Sequence, residues 1–393
     1  EVGLDDPIPV GEHAGEPRRD TPKELGAEPA QHLLAIIRAQ ASTEFGSIQQ
    51  HEGTLARAQD EEDRMWVLRV MAEELRHGYQ MFHLLVSKDW SGVTDQKPEE
   101  MIEEILSMQT GSHVLDAFNL EYDSFVDNVV FAALIDRVGK YQLSMQKVCC
   151  YRPFAQSMPP MLREEAFHLA AGVIPLRRWA QRAAQGNPLI TMSAIQKSIH
   201  KWLPRGLEMF GHEKGGGSNV RFGFKSMKNA EAQRLYYEEV QRMVADLNTR
   251  YVRARHPSLP PGEAEALADR LLRERGRREG ITADDLLEVP DPRFFRRKGE
   301  PAWGLVGTNG ETFDDVDAYA CYLARQLPEA YLHSRDMRQY VETLRHVVSG
   351  AITPDQAAGR MPTLKRVGGV CPCSRSVRWI VESPEEPPAA AKA

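Results

Sequence analysis

Five cysteines occur in 393 residues, at 149, 150, 321, 371 and 373, and none form a Cys-x-x-Cys pair. An odd, sparse set of this kind excludes a disulfide framework and a structural zinc site, so the side chains are read as thiols. The Cys371-Pro372-Cys373 run, with one intervening proline, fits no common ligand spacing and is read as incidental. No apolar run is long enough to span a bilayer, and the opening EVGLDDPIPVGEHAGE has neither a basic segment nor an apolar one. A cytoplasmic chain without membrane association is therefore expected. Basic residues are not in excess: 49 Lys and Arg stand against 56 Asp and Glu, for a net charge of -7. Nucleic acid is thus excluded as the main partner, although local basic clusters occur at 270–278 and 293–298. There is no GxGxxG, no iron–sulfur cysteine set and no strand-like alternation of useful length.

What the chain does contain is two helical segments that end in the same way. MAEELRH at 71–77 and LREEAFH at 162–168 each place two adjacent carboxylates before a histidine. In each, the second carboxylate lies three residues before the His: Glu74 with His77, Glu165 with His168. Positions i and i+3 share one helix face, so each pair can address a common metal. An acidic residue precedes each pair at nearly equal distance, Glu44 at 30 residues before Glu74 and Asp136 at 29 before Glu165. Carboxylate, Glu-x-x-His, carboxylate, Glu-x-x-His is the ligand order of ferritin-like di-iron bundles. Four carboxylates and two neutral imidazoles balance two ferrous ions, whereas without cations four buried carboxylates repel and desolvate at several kcal/mol each. Hard oxygen and imidazole donors suit iron or manganese better than zinc.

The expected fold is all-α: a four-helix bundle with additional helices and a C-terminal extension. Residues 1–28, rich in Pro, Gly and charge, read as an N-terminal arm; 29–255 as the helical core; 256–393 as a helical extension ending in a disordered tail. Core helices are expected from Pro29, from the acidic cluster 60–63 to about Ser87, from His113 to Val148, and from behind Pro159 and Pro160. Further helices are expected at 101–108, 189–210, 229–252, 261–278 and 316–348. Glu44 and Asp136 are assigned to the two helices without a His, with Glu52 or Glu121 as substitutes if the helix phase is shifted. Glu74 and Glu165 would bridge two metals, and His77 and His168 would each bind one. Glu73 and Glu164 are placed to accept from the outer N–H of a metal-bound His, with Arg76 bracing them and Gln40 one turn before Glu44. His51, His83, His113 and His200 read as ordinary surface or core histidines. The Gly-rich segment HEKGGGSNVRFGFKSMK reads either as a phosphate cradle offering Lys214, Arg221 and Lys225, or as a solvated connection.

The segments MAEELRHGYQM and LREEAFHLAAG, with Glu44 and Asp136 at their spacings, resemble the benzoyl-CoA 2,3-epoxidase oxygenase family of ferritin-like di-iron carboxylate proteins. They are more distantly similar to the phenylacetyl-CoA epoxidase catalytic subunits. An aspartate at the third ligand position favours the benzoyl-CoA branch. The resemblance covers roughly residues 30 to 250. It implies a di-iron monooxygenase with two iron ions and O2 as co-substrate, which places one oxygen atom in the aromatic ring of an aryl-CoA thioester in aerobic aromatic degradation. It implies a separate flavin and iron–sulfur reductase using NADPH as partner. The alternatives are another aromatic oxygenase on this scaffold, a ferroxidase or iron-handling protein, and a bundle that serves only as a scaffold.

Overall fold

A computed structural model describes residues 3–110, 112–113, 115–211, 217–289, 305, 313–326, 335–354 and 356–357. Eleven α-helices occur among the described residues: α1 (Ala27–Glu52), α2 (Glu61–Val86), α3 (Pro98–Ser107), α4 (Phe125–Gln146), α5 (Arg152–Ala184), α6 (Met192–Met209), α7 (Gly217–Arg221), α8 (Asn229–Arg255), α9 (Pro261–Glu274), α10 (Val316–Gln326) and α11 (Arg335–Val348). The only sheet among them is a two-residue antiparallel pair, β1 (Arg277–Arg278) and β2 (Ile281–Thr282). The architecture is thus an all-α, ferritin-like bundle with added helices. No helix of the described residues is long and apolar enough to cross a membrane.

The chain packs as two compact units, Glu1–Pro175 with Gly206–Val240, and Leu176–Arg205 with Gln241–Ala393. In the first, α1, α2, α4 and α5 close a ring of four. α1 meets α2 where the Phe45 ring fills the space a side chain at Gly78 would take. α4 meets α5 where Gly172 lies directly on the Ala133 backbone. Below the middle of the bundle an apolar cluster joins Leu33, Ile37 and Ala41 of α1, Met81 and Leu85 of α2, and Phe154, Met158 and Met161 of α5. Each such side chain contributes roughly 1.5–3 kcal/mol on leaving water. The first half of α8 packs on α4: Tyr236 donates to the Leu134 carbonyl at 3.0 Å, and Arg137 pairs with Glu239 at 2.8 Å. In the second unit, Asn248 holds Leu287 through both of its backbone polar groups, and Gln196 does the same for Glu288.

Several boundaries differ from expectation: the helices expected from 101 and 189 start at Pro98 and Met192, and the one expected over 261–278 ends at Glu274, where Arg275 turns left-handed and Arg277–Arg278 form β1. The helix expected from His113 starts at Phe125, because Ser124 caps it by accepting from Val126 N at 3.2 Å and Asp127 accepts from Asp123 N at 2.8 Å. Local side-chain bonding of this kind competes with helix continuation and stops α4 from extending backwards. The helix expected behind Pro159 and Pro160 starts at Arg152 and runs through both prolines and Pro175. Missing N–H groups leave carbonyls without helix donors; nearby, Ser157 Oγ donates to the Pro153 carbonyl and Gln80 to the Ser157 carbonyl. Part of the Gly-rich connection, Gly217–Arg221, is a short helix. The N-terminal segment packs on the first unit: Ile8 joins the apolar cluster, and Arg18 donates to the Cys149 carbonyl at 2.9 Å. The Cys371–Cys373 run, the 293–298 cluster and the expected tail lie outside the described residues.

Candidate metal centre

Six side chains from four helices face the middle of the bundle. Glu44 comes from α1, Glu74 and His77 from α2, Asp136 from α4, and Glu165 and His168 from α5, and all six are buried. Helical periodicity is what turns them inward: Glu44 continues the Leu33, Ile37, Ala41 stripe, and Glu74 continues Val67 and Val70. The substitutes weighed for Glu44 and Asp136, Glu52 and Glu121, are exposed.

Two triplets among the described residues have donor atoms close enough to hold one ion each: Glu44, Glu74 and His77, and Glu74, Asp136 and His168, with atoms within 4.8 Å of one another. Glu74 is common to both. Its Oε2 lies 3.9 Å from His77 Nδ1 and its Oε1 lies 3.4 Å from His168 Nδ1. Glu44 Oε2 lies 3.6 Å from His77 Nδ1, and Glu165 Oε2 lies 3.6 Å from His168 Nδ1. The two imidazole centroids are 5.6 Å apart. Glu165 is outside both triplets but stands beside His168 and faces Gly139, where a side chain would crowd its carboxylate.

The outer nitrogens of both histidines are engaged. His77 Nε2 donates to Glu164 Oε2 at 2.6 Å, and His168 Nε2 donates to Glu73 Oε2 at 3.1 Å. The pairing is crosswise: each helix's extra glutamate serves the histidine of the other helix. Arg76 holds Glu164, and Gln40 hydrogen-bonds Glu44. Arg69 completes the arrangement by holding Glu73 at 2.9 Å while its guanidinium covers the Phe167 ring at 3.7 Å. Sequence reasoning passed over Arg69, although its i,i+4 spacing to Glu73 was a visible signal.

With both Nε2 atoms donating, the Nδ1 atoms are left with lone pairs directed inward. His77 Nδ1, His168 Nδ1, Asp136 Oδ2 and Glu165 Oε2 are buried without a hydrogen-bond partner among the described residues. Orphaned buried acceptors are costly unless something cationic satisfies them. Protons do so in part. Burial and the neighbouring Glu44 charge push Glu74 well above the usual carboxylate range, and burial with the Glu165 charge does the same to Asp136. Burial opposes the charging of His77 and His168, but Glu44 overcomes it for the first and Glu165 for the second, so both are raised. For Glu44, burial raises while the neighbouring Glu74 carboxyl and His77 imidazole lower, with a net fall. A set of two imidazoles and carboxylate oxygens that holds protons where cations fit is a plausible donor set for a pair of divalent metals.

Away from the centre, Arg221 is half exposed, 3.4 Å from Glu28 and 3.9 Å from Glu12. Lys225 turns inward to Gln142 at 2.6 Å, and burial lowers it to about 8. Lys214 lies outside the described residues. His83 is exposed. His51, His113 and His200 are buried, and Asn128 holds His51 Nδ1 at 3.0 Å.

No protein-family model matches the chain. Over 178 residues it is 29% identical to benzoyl-CoA oxygenase component B of Aromatoleum evansii, a stretch that covers 45% of this chain and 37% of that protein. The chain therefore matches well under half the length of this relative.

Proposed function

We propose that the chain is the oxygenase component of an aryl-CoA monooxygenase, with benzoyl-CoA as the substrate. Its six inward side chains, Glu44, Glu74, His77, Asp136, Glu165 and His168, would hold two iron ions. The observation that carries the reading is the position of Glu74, with one oxygen toward each inward imidazole nitrogen. The similarity to a relative named as a benzoyl-CoA oxygenase component supports the substrate class. The chemistry that two ferrous ions would supply when held there is the reduction of O2. Overall, substrate, O2, two electrons and two protons give the ring epoxide and water.

The chain's own groups set the conditions for that chemistry. Glu164 and Glu73 hold the outer N–H of His77 and His168, fix both tautomers and raise the basicity of the inward nitrogens. Arg76 pairs with Glu164, and at Glu73 burial raises the carboxyl while His168 and then Arg69 lower it, with a net fall. The buried rim around Glu74 and Asp136 excludes water, which strengthens each electrostatic contact inside. Of the cations considered for the CoA phosphates, Arg221 presents its guanidinium to solvent and Lys225 does not, so Arg221 is the group assigned to the phosphates. Electrons would come from a partner, assigned here as a separate flavin and iron–sulfur reductase using NADPH; the relative's name as one component of an oxygenase supports a partner.

The test is turnover of the iron-loaded protein with such a reductase, NADPH and isotope-labelled O2. One labelled atom is expected in the benzoyl-CoA product, with phenylacetyl-CoA turned over far more slowly. Faster use of phenylacetyl-CoA, or iron oxidation and storage without any organic product, would replace this reading. Arg221→Ala is expected to weaken acyl-CoA binding, measured by calorimetry.

A further inference from the structure

Helix α2 directs Glu74 and His77 inward, yet its outward side is not the polar face expected of a surface helix. Met65, Leu68, Leu75, Tyr79 and Val86 are all exposed, and exposed Ala72 lies between them. From Met65 to Tyr79 their spacing of three and four residues forms one apolar seam, with Val86 two turns further along the same face, the pattern by which helices bury against a partner. Five of the nine exposed large apolar side chains of the described residues lie on this one helix. Scattered apolar residues are ordinary, but a contiguous row of them marks an interaction site.

Arginines edge this seam. Arg69 and Arg76 leave 58% of their side chains exposed, whereas the carboxylates they hold, Glu73 and Glu164, are 8% and 22% exposed. The outermost layer is thus cationic on a chain whose net charge is -7. Directly beneath stand the two imidazoles, joined to that layer by two short hydrogen-bonded chains: His77 to Glu164 to Arg76, and His168 to Glu73 to Arg69. Both candidate metal-binding histidines therefore connect to the same strip of surface.

We propose that this arginine-edged apolar face of α2 is the docking site of the electron-donating partner, a protein that presents an acidic rim around a one-electron iron–sulfur or flavin group. The inference rests on the di-iron reading above. In each encounter the partner's reduced group would lose one electron to a ferric ion held by the six candidate ligands, and two encounters would supply the two electrons of one turnover. Charge complementarity selects this occupant over a second copy of the chain. A two-fold axis through the middle of the seam would set Arg69 of one copy against Arg76 of the other, and like charges so placed oppose docking.

Leu68→Glu with Leu75→Glu tests the proposal on the full iron-loaded chain, with Leu189→Glu, an exposed leucine of the other unit, as control. Two reductants are compared by stopped-flow on the diferric protein: dithionite with methyl viologen, which is small, and a reduced acidic [2Fe–2S] ferredoxin as probe. The expected result is that ferredoxin reduces the wild type at a rate that falls with salt and the double variant at least roughly tenfold more slowly, while viologen reduces both within about twofold. Iron content should be equal in all three proteins. Unchanged ferredoxin rates in the double variant, or no reduction of the wild type by ferredoxin, overturn the proposal. So does equal slowing by viologen, which would mean a damaged centre, or sedimentation showing self-association that only the double variant loses. A wild type that takes up no iron removes the di-iron reading itself, an outcome that iron analysis separates from the others.

Discussion

At the scale of single residues, protons and metals compete for the same atoms. Burial and neighbouring carboxylates hold Glu74 and Asp136 above their ordinary values, and Glu44 and Glu165 do so for His77 and His168 against burial. Each raised group must lose its proton before it can serve as a ligand, so metal affinity is expected to rise with pH and binding to release protons. Titration with ferrous or manganous ion by calorimetry, in two buffers of different ionisation enthalpy, measures the release, and a buffer-independent heat would contradict it. His51 behaves in the opposite way. Burial, with a smaller contribution from the His168 charge, holds its ring down to about 3 against 6.5 for the free side chain. Below 6.5 the unfolded chain takes up a proton that the folded chain refuses, so stability falls as pH drops from 6.5 towards 3. Between pH 7 and pH 5 the loss from this group is about 2 kcal/mol. His51→Gln is expected to flatten that part of the pH profile, read from denaturant midpoints at pH 5 and pH 7.

At the scale of elements, close helix approach decides what is tolerated. Gly172 of α5 leaves no room for a Cβ against the Ala133 backbone of α4, and the opposing atoms are main chain that cannot rotate away. Gly172→Ala should force the two helices apart and cost about 1–3 kcal/mol. Gly53, at the C-cap of α1 with φ -63 and open space around it, is the control: Gly53→Ala should be neutral or slightly stabilising. Denaturant unfolding of both variants checks the contrast, and equal effects would mean that the α4–α5 contact is not tight. The same element scale explains where helix boundaries were legible. The acidic residues 61–63 mark the true start of α2, since first-turn charge acts locally, whereas the helix expected from 101 starts at Pro98, a proline that suits a first turn. The α4 and α5 starts were missed because a serine cap outweighed apolar periodicity at 113–124, and because buried packing carried α5 through prolines that normally end a helix.

At the scale of the whole molecule, metal binding and electron supply are the properties to test. Each ion that binds the folded bundle and not the unfolded chain stabilises it by about 2.7 kcal/mol at a hundredfold excess over its Kd. Hydrogen exchange on loading with ferrous or manganous ion is expected to slow in α1, α2, α4 and α5 and to leave α9 unchanged. Protection that changes nowhere, or equally everywhere, would argue against a site confined to those four helices. The iron-loaded chain alone, given NADPH, O2 and benzoyl-CoA, is expected to consume no NADPH by absorbance until a reductase is added.

The positions of Glu44, Glu74, His77, Asp136, Glu165 and His168 on inward faces were determined by sequence alone, because a period of 3.6 residues assigns each a face before any neighbour is known. Helical content followed for the same reason. What only tertiary structure decided is who meets whom. Glu73 serves His168 and Glu164 serves His77, Arg69 and Arg76 lock those carboxylates, and Lys225 is buried while Arg221 reaches solvent. Spacing along one helix carries no information about which turn of another helix lies opposite, since that depends on where helices such as α4 and α5 begin and on how closely Gly78 and Gly172 let them pack.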